Sequence, residues 1–314
     1  MTELLSRLRL PVVAAPMFLI SSPELVIAAS KSGIIGSFPT PNCRTVGELD
    51  EWMGKIQHGL RDTAHAPWAV NLITHRSNQR LAADLELVAK YQPDVVITAL
   101  GSPRPVMDVV KSYGGTVIAD VVSIKLARKA VEAGVDGLAC ISAGAGGHTG
   151  HLSPFAFTSA VREFFDGIIT IGGGVTNGAG VAGAIAAGAD LVYMGTRFLV
   201  TDESLAPVEY KQMVIDHGPD DLVVTDRVTG TPASWLRPSL LANGIDPDAA
   251  PTAPTERDYN ATETSGKRWK DIWAAGQGLQ LIRSVEPTAA IVDQLEVEYR
   301  AAASRFMTLA GSRG

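Results

Sequence analysis

The sequence feature that most constrains the fold is a repeated unit, a short apolar run followed by a stretch with helical spacing. Eight such apolar runs occur within roughly the first 200 residues: Val12–Met17, Ile34–Phe38, Trp68–Ile73, Asp94–Leu100, Thr116–Val121, Asp136–Ile141, Ile168–Ile171 and Leu191–Tyr193. The runs do not alternate between polar and apolar residues, as expected of parallel strands buried on both faces. Eight units with short connections predict an α/β fold of the (β/α)8 barrel type, and an open doubly wound sheet is the alternative.

The stretches between the runs carry helix signals. Ser22 precedes Pro23 and Ser123 precedes Ile124, and both serines stand where a helix N-cap is expected. The predicted helices of this region are Ser22–Ser32, Thr45–Leu60, Leu81–Tyr91, Pro105–Tyr113, Ile124–Ala133 and Asn177–Ala187.

The composition changes after Thr201. The patterns beyond it predict a helix at Pro207–Gly218, a short strand at Leu222–Thr225, helical spacing at Trp269–Ile282 and a final helix from Pro287 to Leu309. We expect residues 1–205 and 273–314 to form the barrel. Residues 206–272 are predicted to form an inserted smaller domain that covers the active-site mouth, and the last helix should pack back on the barrel wall.

Charge and cysteine usage exclude several classes of protein. The net charge is −6 and no cluster of Lys and Arg is present, which argues against nucleic-acid binding. Cys43 and Cys140 stand in no CxxC pattern, which excludes a thiolate metal cage and indicates a reducing, cytoplasmic environment. No apolar run approaches the roughly 18–20 residues of a membrane span, so no membrane partner is expected. With nucleic acid and membranes excluded as partners, a small-molecule substrate is expected.

Three glycine-rich turns follow consecutive predicted strands: Ala143–Gly150, Gly172–Gly174 and Met194–Arg197. Glycine lets the backbone approach an anion closely, and the N-terminus of the next helix, Asn177–Ala187, would face that anion. In barrels the loops after strands seven and eight typically bind phosphate. A triple glycine alone can equally be a tight turn without a ligand, but the neighbouring turn at Gly195 and Thr196 favours a phosphate site.

His148 is the candidate catalytic residue. It lies in a segment with four glycines among eight residues, which cannot be a helix interior and offers little apolar packing. A solvent-exposed loop histidine is the alternative, and His151 ranks second for the same role. No second histidine or carboxylate stands at metal-ligand spacing, so no metal is predicted, and no GxSxG motif indicates a serine nucleophile.

Other candidate residues stand at predicted strand ends on the same side of the barrel. Asn71 can hydrogen-bond the edge of a heterocycle, and Lys125 can place positive charge near a ring or a phosphate. Met17, after Pro16, suits packing against a flat ring, although core packing explains it equally well. Asp120 can instead pair with a neighbour.

Together these motifs resemble the nitronate monooxygenase family, formerly 2-nitropropane dioxygenases, whose members are FMN-dependent TIM barrels. The matching stretches are Ala15–Met17, Asn71–Leu72, Ala143–Gly150, Gly172–Gly174, Gly188–Asp190, Met194–Phe198, Trp273 and Ala275–Gly278. The resemblance implies that the FMN phosphate is held by Gly173, Gly174, Gly195 and Thr196. It also implies that the flavin ring lies against Pro16, Met17, Asn71 and Gly147, that Lys125 contacts the cofactor, and that His148 is the active-site histidine.

The reaction that the resemblance implies is oxidation of nitronates or nitroalkanes with O2. FMN-dependent NAD(P)H reductases of enoyl thioesters or quinones share the glycine-histidine motif and are the alternative. Ala143–Gly146 lacks the acidic residue that many members carry before this motif, and the variant resembles a subgroup associated with other substrates, including coenzyme A thioesters. A non-catalytic flavin-binding module is a third possibility, and a homodimer is one option for the assembly.

Overall fold

The computed structural model describes residues 3–249 and 270–311. Its strands are β1 (Val12–Ala14), β2 (Ile35–Pro39), β3 (Trp68–Ile73), β4 (Val95–Ala99), β5 (Thr116–Val121), β6 (Gly137–Ile141), β7 (Gly147–His148), β8 (Ile168–Gly172), β9 (Leu191–Met194), β10 (Leu222–Thr225) and β11 (Ala233–Leu236). All of these except β7, β10 and β11 close into one parallel barrel. Pairing of Val13 in β1 with Tyr193 in β9 completes the circle. The predicted TIM barrel is therefore confirmed, and the open sheet is wrong.

The helices mostly occupy the predicted places. They are α1 (Glu3–Ser6), α2 (Pro23–Lys31), α3 (Val46–Leu60), α4 (Leu81–Tyr91), α5 (Arg104–Ser112), α6 (Ile124–Glu132), α7 (Pro154–Arg162), α8 (Gly178–Ala186), α9 (Thr196–Leu199), α10 (Val208–Asp216), α11 (Arg237–Ala242) and α12 (Thr288–Gly311). The Ser22 hydroxyl accepts from the Leu25 amide at 2.9 Å, and the Ser123 hydroxyl accepts from the Leu126 amide at 3.3 Å. Both predicted N-caps are confirmed. No helix within the described ranges has the length and apolarity needed to cross a membrane.

Side chains of the barrel strands alternate between two cores. On β5, Val117, Ala119 and Val121 face outward and pack with the helices, whereas Ile118 faces the barrel interior. The interior cluster also contains Val13, Ile35, Ala69, Val95, Ile97, Ala139, Ile168, Leu191 and Tyr193. Leu4 of α1 is buried in the same cluster. Since α1 precedes β1, it closes the amino end of the barrel, and the carboxyl end is the mouth.

The last helix packs on the barrel wall, as predicted. Ile291, Val292 and Leu295 of α12 are buried, and the helix contacts α8 and α2. The region after the barrel strands contributes α10, β10, β11 and α11, and the predicted strand at Leu222–Thr225 is confirmed as β10. Residues 250–269 of the predicted inserted domain lie outside the described residues, and its boundaries stay a prediction.

Two local predictions fail. The described part of the predicted helix Trp269–Ile282 is irregular over residues 272–278, which we call the strap, and Trp269 itself lies outside the described residues. The backbone groups of the strap form hydrogen bonds with residues that are distant in sequence: Leu236 N donates to Trp273 O at 2.9 Å, and Gln277 N donates to Gly144 O at 3.0 Å. The short strand β7 was predicted as a loop, but it pairs with β11 in a small antiparallel sheet whose order is β10-β11-β7.

Candidate active site

The three glycine turns meet at the mouth of the barrel, because they follow the carboxyl ends of β6, β8 and β9. A Cβ built on Gly144 would lie 3.4 Å from the Gly174 amide nitrogen, so the first two turns touch. A Cβ built on Gly195 would lie 3.6 Å from the Met17 sulfur, which places the third turn beside the end of β1. The structure therefore brings the predicted phosphate-binding turns and Met17 to one side of the molecule.

The second and third turns present unused backbone donors. Among the described residues, the N–H groups of Gly173, Gly174, Gly195 and Thr196 meet no hydrogen-bond acceptor. Gly173 and Gly174 have φ angles of 153° and 69°, in the region that favours glycine. Free N–H groups on successive residues of such a turn form a concave surface that binds anions.

Two N–H groups at the start of the helix after the second turn are already paired. Gly178 N at the start of α8 donates to Glu298 Oε2 at 2.8 Å, and Gly180 N donates to the Asn177 side chain at 2.8 Å. The expected contribution of the α8 N-terminus to anion binding stays a prediction, and these two N–H groups are not available for it.

The strap holds the turns together. Gly276 N donates to the Thr196 hydroxyl at 2.9 Å, and the Ser234 hydroxyl of β11 donates to Ala275 O at 2.9 Å. The Tyr210 hydroxyl of α10 exchanges hydrogen bonds with both backbone groups of Ala274, at 2.9 Å and 2.5 Å. Sequence reasoning missed this role. The signal was the pair of closely spaced glycines at positions 276 and 278, which disfavours a helix.

His148 lies on β7, where it pairs with Ala233 of β11, and its side chain is half-buried. The next residue, Thr149, is anchored twice: its amide donates to Pro232 O at 3.2 Å and its hydroxyl donates to Ser142 O at 3.0 Å. His151 is exposed before α7. The small sheet thus fixes the backbone of His148 next to the glycine turns, whereas nothing comparable holds His151 among the described residues.

A polar group lies inside the barrel near the mouth. Asn71 Nδ2 on β3 and the Tyr193 hydroxyl on β9 each donate to the Asp120 carboxylate of β5, at 3.4 Å. Burial raises the pKa of Asp120 to about 7, and the two hydrogen bonds counteract that rise in part. Burial, followed by the nearby carboxylate, also raises the pKa of Tyr193. Asp120 therefore pairs with neighbours, as the sequence allowed, and one of them, Asn71, is itself a predicted site residue.

The remaining predicted residues stand at the rim. Pro16 and Gly147 are half-buried, at the end of β1 and in β7, and Lys125 is exposed in the first turn of α6. The structure places all three at the carboxyl end of the barrel. Within the two described ranges, no three His, Cys, Asp or Glu side chains come together as metal ligands would.

Comparison with known proteins identifies relatives with this architecture. The family model described as nitronate monooxygenase matches residues 65–298, which is more than half of the chain. A (3aS,4S,5R,7aS)-5-hydroxy-7a-methyl-1-oxo-octahydro-1H-indene-4-carboxyl-CoA dehydrogenase of Mycobacterium tuberculosis is 32% identical, over 77% of this chain and 66% of that protein. A nitronate monooxygenase of Paraburkholderia phytofirmans is 25% identical over 92% of each chain. The structure of a FabK variant from Thermotoga maritima superposes with a TM-score of 0.80 and 25% identity, covering 97% of each chain.

Proposed function

Because the chain belongs to the nitronate monooxygenase family, we propose that it is an FMN-dependent enzyme that oxidises nitronates or nitroalkanes with O2. Membership makes the chain an oxidoreductase. The observation that carries the rest of the proposal is the set of four unused N–H groups in two turns beside a backbone-fixed histidine. That pairing suits a phosphorylated redox cofactor next to a proton-exchanging group.

The residues at the mouth fit FMN. Gly173, Gly174, Gly195 and Thr196 supply N–H donors of the kind that a phosphate requires, and no side chain on the three glycines blocks the approach. Met17, with its polarisable sulfur, offers an apolar surface for a flat ring. The Asn71 amide supplies both a donor and an acceptor for a heterocycle edge. Lys125 adds positive charge at the rim.

In this proposal the bound FMN supplies the two-electron redox chemistry, and the protein positions the substrate and moves protons. His148 removes the α-proton from a neutral nitroalkane as a general base. For an already ionised nitronate no base is needed, and the imidazole then donates a hydrogen bond to a nitro oxygen. A hydrogen bond to a charged group is worth about 1.5–3 kcal/mol.

A second substrate class is favoured by one finding. The relative at 32% identity carries a CoA thioester in its name, whereas the named nitronate monooxygenase is 25% identical. This chain spans about two thirds of the length of that CoA-acting relative. A thioester carbonyl acidifies its α-carbon as a nitro group does, so His148 can serve both substrate classes with the same proton transfer. An NAD(P)H-dependent reductase of such a thioester would run the redox reaction in the opposite direction at the same site.

Anaerobic titration of the purified, flavin-loaded protein separates these reactions. Ethylnitronate, butyryl-CoA, NADH and NADPH are added in turn, and the loss of flavin absorbance is followed in a stopped-flow instrument. We expect rapid bleaching by ethylnitronate and recovery of the absorbance when O2 is admitted. Bleaching by butyryl-CoA alone would move the assignment to the thioester class, and bleaching by NAD(P)H alone would move it to the reductases. If none of the four donors bleaches the flavin, the proposed redox site is wrong.

A further inference from the structure

Asp120 is a carboxyl group inside the barrel without a compensating cation. Residues two positions before it and before Asn71 belong to the interior cluster, so the alternation of the strands turns both side chains inward. Within the described parts of the chain, no Lys, Arg or His side chain forms an ion pair with Asp120, and its only hydrogen-bond donors are Asn71 and Tyr193. An uncompensated carboxylate in such surroundings is costly.

Asp120 lies near the mouth of the barrel, one residue before the carboxyl end of β5. As a whole residue it is half-buried, whereas Asn71 and Tyr193 beside it are buried. Leu4 of α1 closes the amino end of the barrel, so the mouth is the end that Asp120 is closest to. Asp120 thus forms part of the floor of the mouth, one hydrogen bond away from Asn71, a residue that we expect against the flavin ring.

We propose that Asp120 is a proton-exchanging residue of the active-site floor, which takes up a proton when negative charge enters the mouth and releases it when that charge leaves. The inference rests on the proposed function, since that function supplies the negative charge. It adds a second proton site to the one assigned to His148. Asp120 balances the charge of the site and does not remove the substrate's proton, which His148 takes.

The charge balance gives the reason for this exchange. A nitronate that enters the mouth brings one negative charge, and a bound flavin would carry one more negative charge when reduced than when oxidised, since it would take up two electrons and one proton. A nearby negative charge raises the pKa of a carboxyl group. One proton from solvent then binds the Asp120 carboxylate, and the total charge of the site is restored. When the product leaves and the electrons pass to O2, that negative charge is lost and Asp120 returns its proton to solvent.

Asp120 is the group expected to titrate, because the other groups that face it stay neutral. Tyr193 from β9 is also titratable, but its pKa lies well above the ordinary value, so it stays neutral. Asn71 from β3 is neutral at every pH, and the Thr170 hydroxyl of β8, which is buried inward without a hydrogen-bond partner among the described residues, is neutral too. Ala139 on the neighbouring β6 carries no polar side-chain atom. Lys125 stands outside the barrel at the rim.

Infrared difference spectroscopy of the flavin-loaded protein tests the proposal directly. At about pH 8, reduction should produce the C=O stretch of a protonated carboxyl group in the wild type, and Asp120→Asn should remove that band. Asp108→Asn, an exposed carboxylate on α5, is the matched control and should keep it. Tyr193→Phe removes one hydrogen bond that favours the charged form, so Asp120 in the oxidised protein should protonate at a higher pH. A band that survives in Asp120→Asn, or a wild type without one, would overturn the proposal.

A second readout does not need the flavin. Asp120 has a pKa of about 7 in the fold against a reference value of 3.8, so between these values the folded chain holds a proton that the unfolded chain has lost. The stability of the flavin-free wild type should therefore fall relative to Asp120→Asn as the pH rises from about 4 to about 7, and the difference should then stay constant. Urea unfolding measures this difference in the free energy of unfolding between the two proteins. If the protein binds no flavin but shows this difference, the proposed function fails and the proton site stands; a constant difference from about pH 4 to 8 would refute the proton site.

Discussion

Replacement of His148 by Ala should lower kcat for a neutral nitroalkane by about 10²–10⁴-fold, the range typical for loss of a general acid or base. The reason is its place on β7, where pairing with Ala233 and the anchored Thr149 hold the backbone beside the glycine turns. Flavin content should remain, because the proposed phosphate donors belong to other turns. The measurement is steady-state turnover together with the flavin-to-protein absorbance ratio.

A control and a second substrate make this prediction sharper. His151→Ala changes an exposed histidine three residues away and should leave turnover within about twofold of the wild type. Turnover of a preformed nitronate by His148→Ala should fall less than turnover of a neutral nitroalkane, since no proton has to be removed. Unchanged turnover of every substrate by His148→Ala would remove His148 from the mechanism.

The second large effect is expected at Gly278 of the strap. A Cβ at this position would lie 1.7 Å from the Thr176 hydroxyl oxygen and 2.9 Å from the Gly174 carbonyl oxygen. The Thr176 side chain can rotate, but its Cβ at 2.8 Å and the Gly174 backbone cannot give way without moving the turn after β8. Gly278→Ala should therefore cost about 1–3 kcal/mol of stability, as overpacking usually does. It should also weaken flavin binding.

Gly183→Ala is the matched control for this variant. Gly183 lies inside α8, and apart from its own stretch of helix no described residue has an atom within 4 Å of a Cβ built there. Alanine in a helix interior is more favourable than glycine by up to about 1 kcal/mol, so this variant should be as stable as the wild type or more stable. Both variants are compared by urea unfolding and by titration of the flavin-free protein with FMN. If the two variants bind FMN with equal affinity, the strap does not support the cofactor site and the prediction is wrong.

The barrel was predictable from the sequence because its information is local. Each unit carries its own apolar run and its own helix signals, such as the Ser22 and Ser123 caps, and the count of eight closes the sheet. The glycine turns were predictable for the same reason, since glycine is required where it stands in the chain. Their meeting at one mouth followed from the rule that successive parallel strands end on the same side.

The strap and the floor of the mouth were not predictable, because long-range pairing creates them. Residues 272–278 have helical spacing in the sequence, but Gly144, Thr196 and β11 take up their backbone groups. The partners of Asp120 come from β3 and β9, far from β5 along the chain. A sequence read locally shows the residue types in each case, and only the closed barrel shows which of them meet.

The most direct test of the account compares FMN with riboflavin, which lacks the phosphate, in calorimetric titrations of the flavin-free protein. If Gly173, Gly174, Gly195 and Thr196 hold the phosphate, FMN should bind at least about 100-fold more tightly, since charge-assisted hydrogen bonds contribute about 1.5–3 kcal/mol each. Equal affinities for the two flavins, or no binding of either, would contradict the assignment of these turns as the cofactor site.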